Sequence, residues 1–173
     1  QLPSRDTYWK KDGKYNSGYV SQIMTNRQFN RILEAFHFEK THEVSDEERK
    51  IKNKQDPFWS VSKFFAILAS NCQKYYQCGH FVDIDEMTVP FKGRMKAVCC
   101  NPHKPNKWHI TFFCLNDADT GYLSNFIPYA GRDETRPEGV SATEFPVQIL
   151  TNPVQYHNKS HIMFTDNWYT SIN

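Results

Sequence analysis

The chain has 173 residues, of which 39% are apolar and 15% aromatic, so it can bury a core of ordinary size. Charged residues make up 23%, which excludes an intrinsically disordered chain, and the net charge of +2 by itself indicates little. No run of about 18 apolar residues is present, so we expect no membrane span. The chain begins with Gln1 rather than Met and ends at Asn173 without a polar tail. We therefore expect it to be a piece of a longer protein.

The first 79 residues are expected to be helical. Thr25 and Gln28 have the spacing of a capping box, and apolar residues at 29, 32, 33 and 36 follow on one helical face. Residues 39–56 have mixed charge and no aromatic side chain, which predicts an exposed linker. A second helix is expected to open at Asp56-Pro57 and to end near Gly79.

From residue 80 onward the pattern is that of strands. We expect strands at 81–85, 108–115 and 122–129, a short helix at 142–150, and a last strand at 160–165. This β-β-β-α-β order predicts a mixed sheet with a helix crossing between its last two strands. The predicted fold class is α+β or α/β, with a helical portion at 1–79 and a sheet domain at 80–173.

Two carboxylates stand where predicted strands end. Asp85 closes the first strand and Asp166 closes the last. Ligands and ions gather at strand ends in sheets with helical crossovers, and paired carboxylates supply the hard oxygen ligands that Mg²⁺ prefers. Two such ions can activate a water and stabilise the leaving oxygen of a phosphodiester. Asp83 competes with Asp85, because alternation puts both on one face, and ordinary strand-end caps remain the alternative.

A basic segment follows Asp85. No acidic residue lies between positions 92 and 107, whereas the basic residues there are Lys92, Arg94, Lys96, Lys104 and Lys107. A loop of this charge beside strand-end carboxylates suits contacts with phosphates, although a solvated loop is the alternative. Trp108 comes next, and we expect it to fill the core rather than to stack on a base.

The five cysteines are scattered through apolar segments and have no metal-ligand spacing. This usage is typical of reduced thiols in a nuclear or cytosolic protein, and we expect no zinc site in this segment.

Four blocks of residues carry a resemblance to a known family. They are Asp85-Glu86 with Phe91-Lys92-Gly93-Arg94, then Lys104-Pro105-Asn106-Lys107-Trp108, then Tyr129-Ala130-Gly131-Arg132, and finally Asp166-Asn167-Trp168-Tyr169-Thr170-Ser171. In this order they resemble the motifs of piggyBac-type DDE transposases, the piggyBac transposable element-derived protein family. Upstream, the segment from Leu2-Pro3 to Trp9 and the segment from Met24 to Phe36-His37-Phe38 are similar to the lead-in helices of the family. The resemblance therefore covers nearly the whole chain.

The resemblance implies an RNase H-like domain, present here as its first half, after a helical portion for dimerisation and DNA binding at 1–79. It maps Asp85, rather than Asp83, and Asp166 onto the first two of three catalytic, metal-binding acids, with Mg²⁺ or Mn²⁺ as cofactor. It maps four basic residues onto DNA contacts: Lys92, Arg94, Lys104 and Lys107. Members of the family cut at TTAA sites and move a transposon by hydrolysis and strand transfer.

Two departures from the family pattern affect this interpretation. The third acid of the family lies beyond Asn173, so the chain alone is expected to be inactive. His109-Ile110-Thr111 stands where many members have Gly-Ile-Lys, which removes one basic residue. We predict a fragment of a nuclear transposase that acts on double-stranded DNA, at transposon ends and target, and is a homodimer at full length. The alternative is a domesticated, catalytically inactive DNA-binding or chromatin-associated protein.

Overall fold

The structure is a computed structural model that describes residues 5–10, 18–103, 106–131, 136–151 and 156–169. In these ranges the elements before residue 79 are helices, and strands dominate after it. The elements, in chain order, are a 3-10 helix at Arg5–Trp9, α1 (Gly18–Ile23), α2 (Asn26–Ala35), a second 3-10 helix at Thr41–Glu43, α3 (Asp46–Gln55), α4 (Ser62–Tyr75), β1 (Phe81–Pro90), β2 (Cys99–Cys100), β3 (Trp108–Asp117), β4 (Leu123–Pro128), α5 (Glu144–Leu150) and β5 (Ile162–Thr165). The chain divides into two units, Gln1–Thr41 and His42–Asn173. Within the described ranges, no helix is long and apolar enough to cross a membrane.

The first unit is organised around the start of α2. The predicted capping box is confirmed, because the Thr25 hydroxyl accepts from the Gln28 amide while the Gln28 side chain accepts from the Thr25 amide. Trp9 donates from its indole nitrogen to the Met24 carbonyl at 2.8 Å and packs on Phe29, with ring centroids 5.3 Å apart. The cap and the indole together fix where α2 begins.

Replacing Thr25 by Ala is expected to destabilise α2 by about 1 kcal/mol, since the helix loses its capping acceptor. Amide hydrogen exchange at residues 29–35 should then be roughly fivefold faster, as measured by mass spectrometry or NMR. Ser21→Ala is the matched control, because the Ser21 hydroxyl donates only to the Gly18 carbonyl inside α1. Equal exchange rates in Thr25→Ala and the unmodified chain would contradict the role of the cap.

The expected linker at 39–56 is wrong, because α3 occupies Asp46–Gln55. Its N-terminus has a capping box between Ser45 and Glu48, with acidic residues in the first turn and basic residues in the last. Both features favour a helix through local hydrogen bonds and the helix dipole. None of its residues is buried, so there is no apolar stripe for a hydrophobic periodicity to reveal.

The helix expected at Asp56-Pro57 begins later, at Ser62, and ends at Tyr75. Asp56 instead organises the turns before it, accepting from the Phe58 amide at 2.7 Å and from the Ser62 hydroxyl at 2.5 Å. An aspartate that satisfies nearby donors in this way favours a turn over a continuous helix.

The sheet has β1 near its centre. β1 pairs antiparallel with β3 on one side and parallel with β5 on the other. The far edge of β3 pairs antiparallel with both β4 and the two-residue β2. The predicted β-β-β-α-β order and the mixed sheet are confirmed, and β2 is an addition too short to show any periodicity.

The sheet is covered on both faces. One buried cluster lies on the α5 side and consists of Val82, Ile84, Phe113, Leu115, Leu150, Tyr156 and Tyr169. The other lies on the α4 side and consists of Phe58, Ala97, Ile110, Phe112, Cys114 and Phe126, with Phe65 of α4 packed against it. Because β3 contributes to both clusters, its sequence is a nearly continuous apolar run. The sequence assigned residues 1–79 to dimerisation and DNA binding and residues 80–173 to the catalytic domain, and that assignment stays a prediction.

Asp117 joins the segment that follows α4 to the turn after β3. Its side chain is 1% exposed and accepts from the Gly79 amide at 2.6 Å and from the Thr120 amide and hydroxyl, each at 2.8 Å. These hydrogen bonds, the one from Gly79 above all, lower the pKa of Asp117 to about 2. The carboxylate is therefore ionised at neutral pH and satisfies three donors.

Candidate functional site

Asp85 and Asp166 occupy adjacent positions on neighbouring parallel strands. The last paired residues of β1 and β5 are Ile84 and Thr165, and the two aspartates follow them directly. Neighbouring strands lie about 4.8 Å apart, so this register brings the two residues together at the point where β5 ends. Both are exposed. Each carboxylate accepts from the next backbone amide, at 2.7 Å for Asp85 and 2.5 Å for Asp166.

Asp83 has a different environment from Asp85, although both lie on the same face of β1. Its carboxylate accepts from the Asn116 side chain at 2.9 Å and its neighbour on β5 is Phe164. Asp83 is thus tied to β3 and has no carboxylate beside it on β5. The register of the strands therefore brings Asp85, rather than Asp83, beside Asp166. The catalytic role that the resemblance implied for Asp85 stays a prediction.

The surroundings of the pair are apolar and negatively charged. Burial raises the pKa of the Cys114 thiol to about 11, and the charges of Asp85 and Asp83 add to the rise. Cys114 is therefore a protonated core residue at neutral pH. Burial also raises the pKa of the Tyr169 hydroxyl, and the negative charges of Glu86, Asp85 and Asp166 add to the rise. In the part of the chain that the structure describes, the buried Tyr169 hydroxyl has no hydrogen-bond partner.

Among the described residues, no group of three or more His, Cys, Asp or Glu side chains is placed to hold a metal ion. The site therefore offers two carboxylates from this chain. That number fits Mg²⁺, which is bound by one or two carboxylates and keeps several of its waters.

A basic groove lies beyond the acidic pair, where β1 ends. Lys92, Arg94 and Lys107 are exposed, whereas Lys104 lies outside the described residues. The expectation that Trp108 fills the core is wrong: its side chain is 51% exposed and lines the groove with Lys92 and Arg94. Trp108 is the first residue of β3, and it is not among the residues that form the cluster against α4.

Comparison with known proteins places these features in a family. The family model described as Transposase IS4 matches residues 1–173. The chain belongs to this transposase family. It is also similar to a solved structure, the piggyBac transposase synaptic complex with hairpin DNA, at 27% identity and a TM-score of 0.77. The similarity covers 99% of this chain and 34% of that one, so the chain spans about a third of the length of the solved transposase.

The resemblance to piggyBac-type DDE transposases, which was inferred from the sequence blocks, is thereby confirmed. The sheet order is that of a truncated RNase H-like domain, as predicted. Arg132 of the third transposase block lies outside the described residues.

Two features of this candidate site were not found from sequence. One feature of the sequence could have indicated that Trp108 is exposed: no acidic residue lies between positions 92 and 107, just before it. No feature of the sequence could have indicated that the Tyr169 hydroxyl has no hydrogen-bond partner among the described residues, because periodicity predicts burial but not hydrogen bonding.

Proposed function

We propose that this chain is part of a transposase that binds DNA, cleaves phosphodiester bonds and transfers strands in cut-and-paste transposition, with Asp85 and Asp166 as catalytic acids. The observation that supports it best is the register of β1 and β5, which makes these two residues neighbours. The family match supports the general class of function, and the adjacent basic groove suits a polyanionic substrate.

Asp85 and Asp166 would hold the divalent ion, Mg²⁺ or Mn²⁺. When bound, such ions lower the pKa of an attacking water and stabilise the leaving oxygen of the phosphodiester. The two aspartates are oriented for this by the backbone amides of Glu86 and Asn167, each of which occupies one carboxylate oxygen. By resemblance, a third acid outside residues 1–173 completes the set, so we expect cleavage only in a protein that supplies it.

The basic residues of the groove and of the segment just before Trp108 would neutralise DNA phosphates. Lys92, Arg94 and Lys107 are exposed and no carboxylate lies between positions 92 and 107. Lys104 belongs to the same proposal through the family motif. Phosphate contacts of this kind position a duplex without reading its sequence.

Replacing Lys92, Arg94 or Lys107 by Ala is expected to weaken DNA binding similarly for all sequences. Each change should lower the slope of log affinity against log salt concentration by about one, because one fewer counterion is released. Fluorescence anisotropy of a labelled duplex at several salt concentrations measures this. Lys159→Ala is the control and should leave the slope unchanged, because Lys159 is exposed and lies outside both residues 1–79 and the basic segment at 92–107.

The partners and compartment are part of the same proposal. The similar solved structure is a synaptic complex with hairpin DNA, which supports double-stranded transposon ends and target DNA as partners. We further propose a homodimer at full length and a nuclear location, where chromosomal DNA and reducing conditions for the free cysteines coincide.

The decisive experiment uses the intact protein with DNA that flanks its own gene. Strand cleavage is expected with Mg²⁺ or Mn²⁺ and is expected to stop on chelation with EDTA. DNA binding without cleavage under every metal condition would instead favour the domesticated, catalytically inactive alternative.

A further inference from the structure

One face of β1 leads from Asp85 to the basic groove. Side chains at alternate positions of a strand share a face, so Met87 and Val89 lie on the face of Asp85. Their side chains are 40% and 41% exposed. Trp108 shares this face too, because it alternates with Ile110, Phe112 and Cys114, and Cys114 is the cross-strand partner of Asp85. Exposed side chains of β1 thus lie between the carboxylate and the indole on one face of the sheet.

The groove at the end of this path, here called the Trp108 groove, combines three kinds of surface. Its lining consists of Phe91, Lys92, Gly93, Arg94, Met95, Val98 and Trp108. Phe91 and Met95 pack against the core and form an apolar floor, while Lys92 and Arg94 are exposed. The Phe91 amide donates to the Trp108 carbonyl at 3.1 Å, which anchors the indole-bearing residue to the loop.

Gly93 lies close to the Phe91 ring. A Cβ atom at Gly93 would lie 2.4 Å from that ring, which is far inside van der Waals contact. A side chain at this position would therefore have to displace the Phe91 ring, which lines the groove.

We propose that the Trp108 groove binds an unpaired nucleobase of the DNA strand whose phosphodiester lies at Asp85 and Asp166, with the base stacked on Trp108. The inference rests on the proposed function and adds that part of the bound DNA is single-stranded. Bases within a duplex are stacked on one another, whereas an unpaired base presents a free face to an exposed aromatic ring. An aromatic platform with flanking cations is the usual basis of single-strand binding, and it tolerates any base sequence.

The position of the bound base follows from the strand. Phe91, which is hydrogen-bonded to Trp108, lies six residues beyond Asp85, and six residues of strand span about 20 Å. An unpaired strand is more extended than a strand of a duplex, so this distance corresponds to a few nucleotides from the cleaved phosphodiester.

The test uses the intact protein and duplexes that carry a single-stranded extension with 2-aminopurine at successive positions. Stacking on Trp108 quenches the fluorescence of this base, and we expect the quenching to be greatest at one position, a few nucleotides from the phosphodiester that is cleaved. Trp108→Ala should abolish the quenching and weaken binding of the extended DNA roughly 5-fold to 150-fold. Trp108→Phe should retain part of both effects, and Ile149→Ala, at an exposed apolar residue of α5, should change neither.

Blunt duplex DNA separates the possible failures. If Trp108→Ala weakens blunt and extended DNA equally, or changes neither, base stacking is refuted while DNA binding by the transposase stands. If neither DNA is bound by the unmodified protein, the proposed function itself fails. Loss of binding confined to the extended DNA supports the inference.

Discussion

Replacing Asp85 by Asn in the intact transposase is expected to lower strand cleavage at least about a thousandfold, because metal coordination contributes several kcal/mol to the transition state. Asp166→Asn should have an effect of similar size, since the two residues are adjacent ligands in the proposed site. Asn keeps the size of the side chain but removes the negative charge that holds a divalent ion. Gel assays of end cleavage measure the rate.

Asp83→Asn is the matched control for this pair. Asp83 lies two residues from Asp85 on the same face of β1, but its carboxylate accepts from Asn116 and it has no acidic neighbour on β5. Its replacement should leave cleavage within a few fold. DNA binding by the two active-site variants should be preserved, because removing negative charge weakens no phosphate contact. Full cleavage by Asp85→Asn, or equal loss in Asp83→Asn, would overturn the assignment.

Replacing Asp117 by Ala is expected to lower the free energy of unfolding by about 3 kcal/mol, because the Gly79 and Thr120 donors lose their buried acceptor. Urea denaturation followed by circular dichroism measures the change. Asp119→Ala is the control, since Asp119 lies in the same turn and is exposed. If Asp117→Ala lowers the free energy of unfolding no more than Asp119→Ala does, water replaces the carboxylate without loss of stability and the prediction is wrong.

The same carboxylate predicts how stability depends on pH. Its pKa falls from an ordinary 3.8 to about 2 on folding, so its stabilising contribution is complete above pH 4. That contribution is lost as the pH falls from about 4 to about 2, where the folded protein must take up the proton. Asp117→Asn removes this titration, so its stability should fall less than that of the unmodified chain across this interval. Parallel pH profiles for the two proteins would contradict the assigned pKa.

Sequence patterns predicted the sheet well for physical reasons that can be named. β3 is buried on both faces and is therefore apolar at nearly every position, and β1 alternates because only its α5 face is fully covered. The neighbourhood of Asp85 and Asp166 could be anticipated in part, because a helical crossover makes two strands parallel and sets their carboxyl ends at one edge. Their register depends on tertiary packing, which local pattern does not specify.

The failures of prediction also have physical causes. α3 is held by its capping box and its charge distribution and buries nothing, so periodicity could not reveal it, although Ser45 and Glu48 carried a capping signal. The core expectation for Trp108 failed because aromatic residues in apolar runs are buried only where another element covers them. Trp108 lies at the end of β3, outside the cluster that packs against α4.

The unequal lengths of β1 and β5 leave a notch in the sheet. β1 has ten residues and β5 has four, and in the described ranges β1 has a partner beyond Ile84 only on its β3 side. In the proposed function, a phosphodiester would reach Asp85 and Asp166 at this notch, just beyond the last residue of β5. Lengthening β5 by two or three residues after Thr165 would fill the notch and narrow the approach to the same two acids.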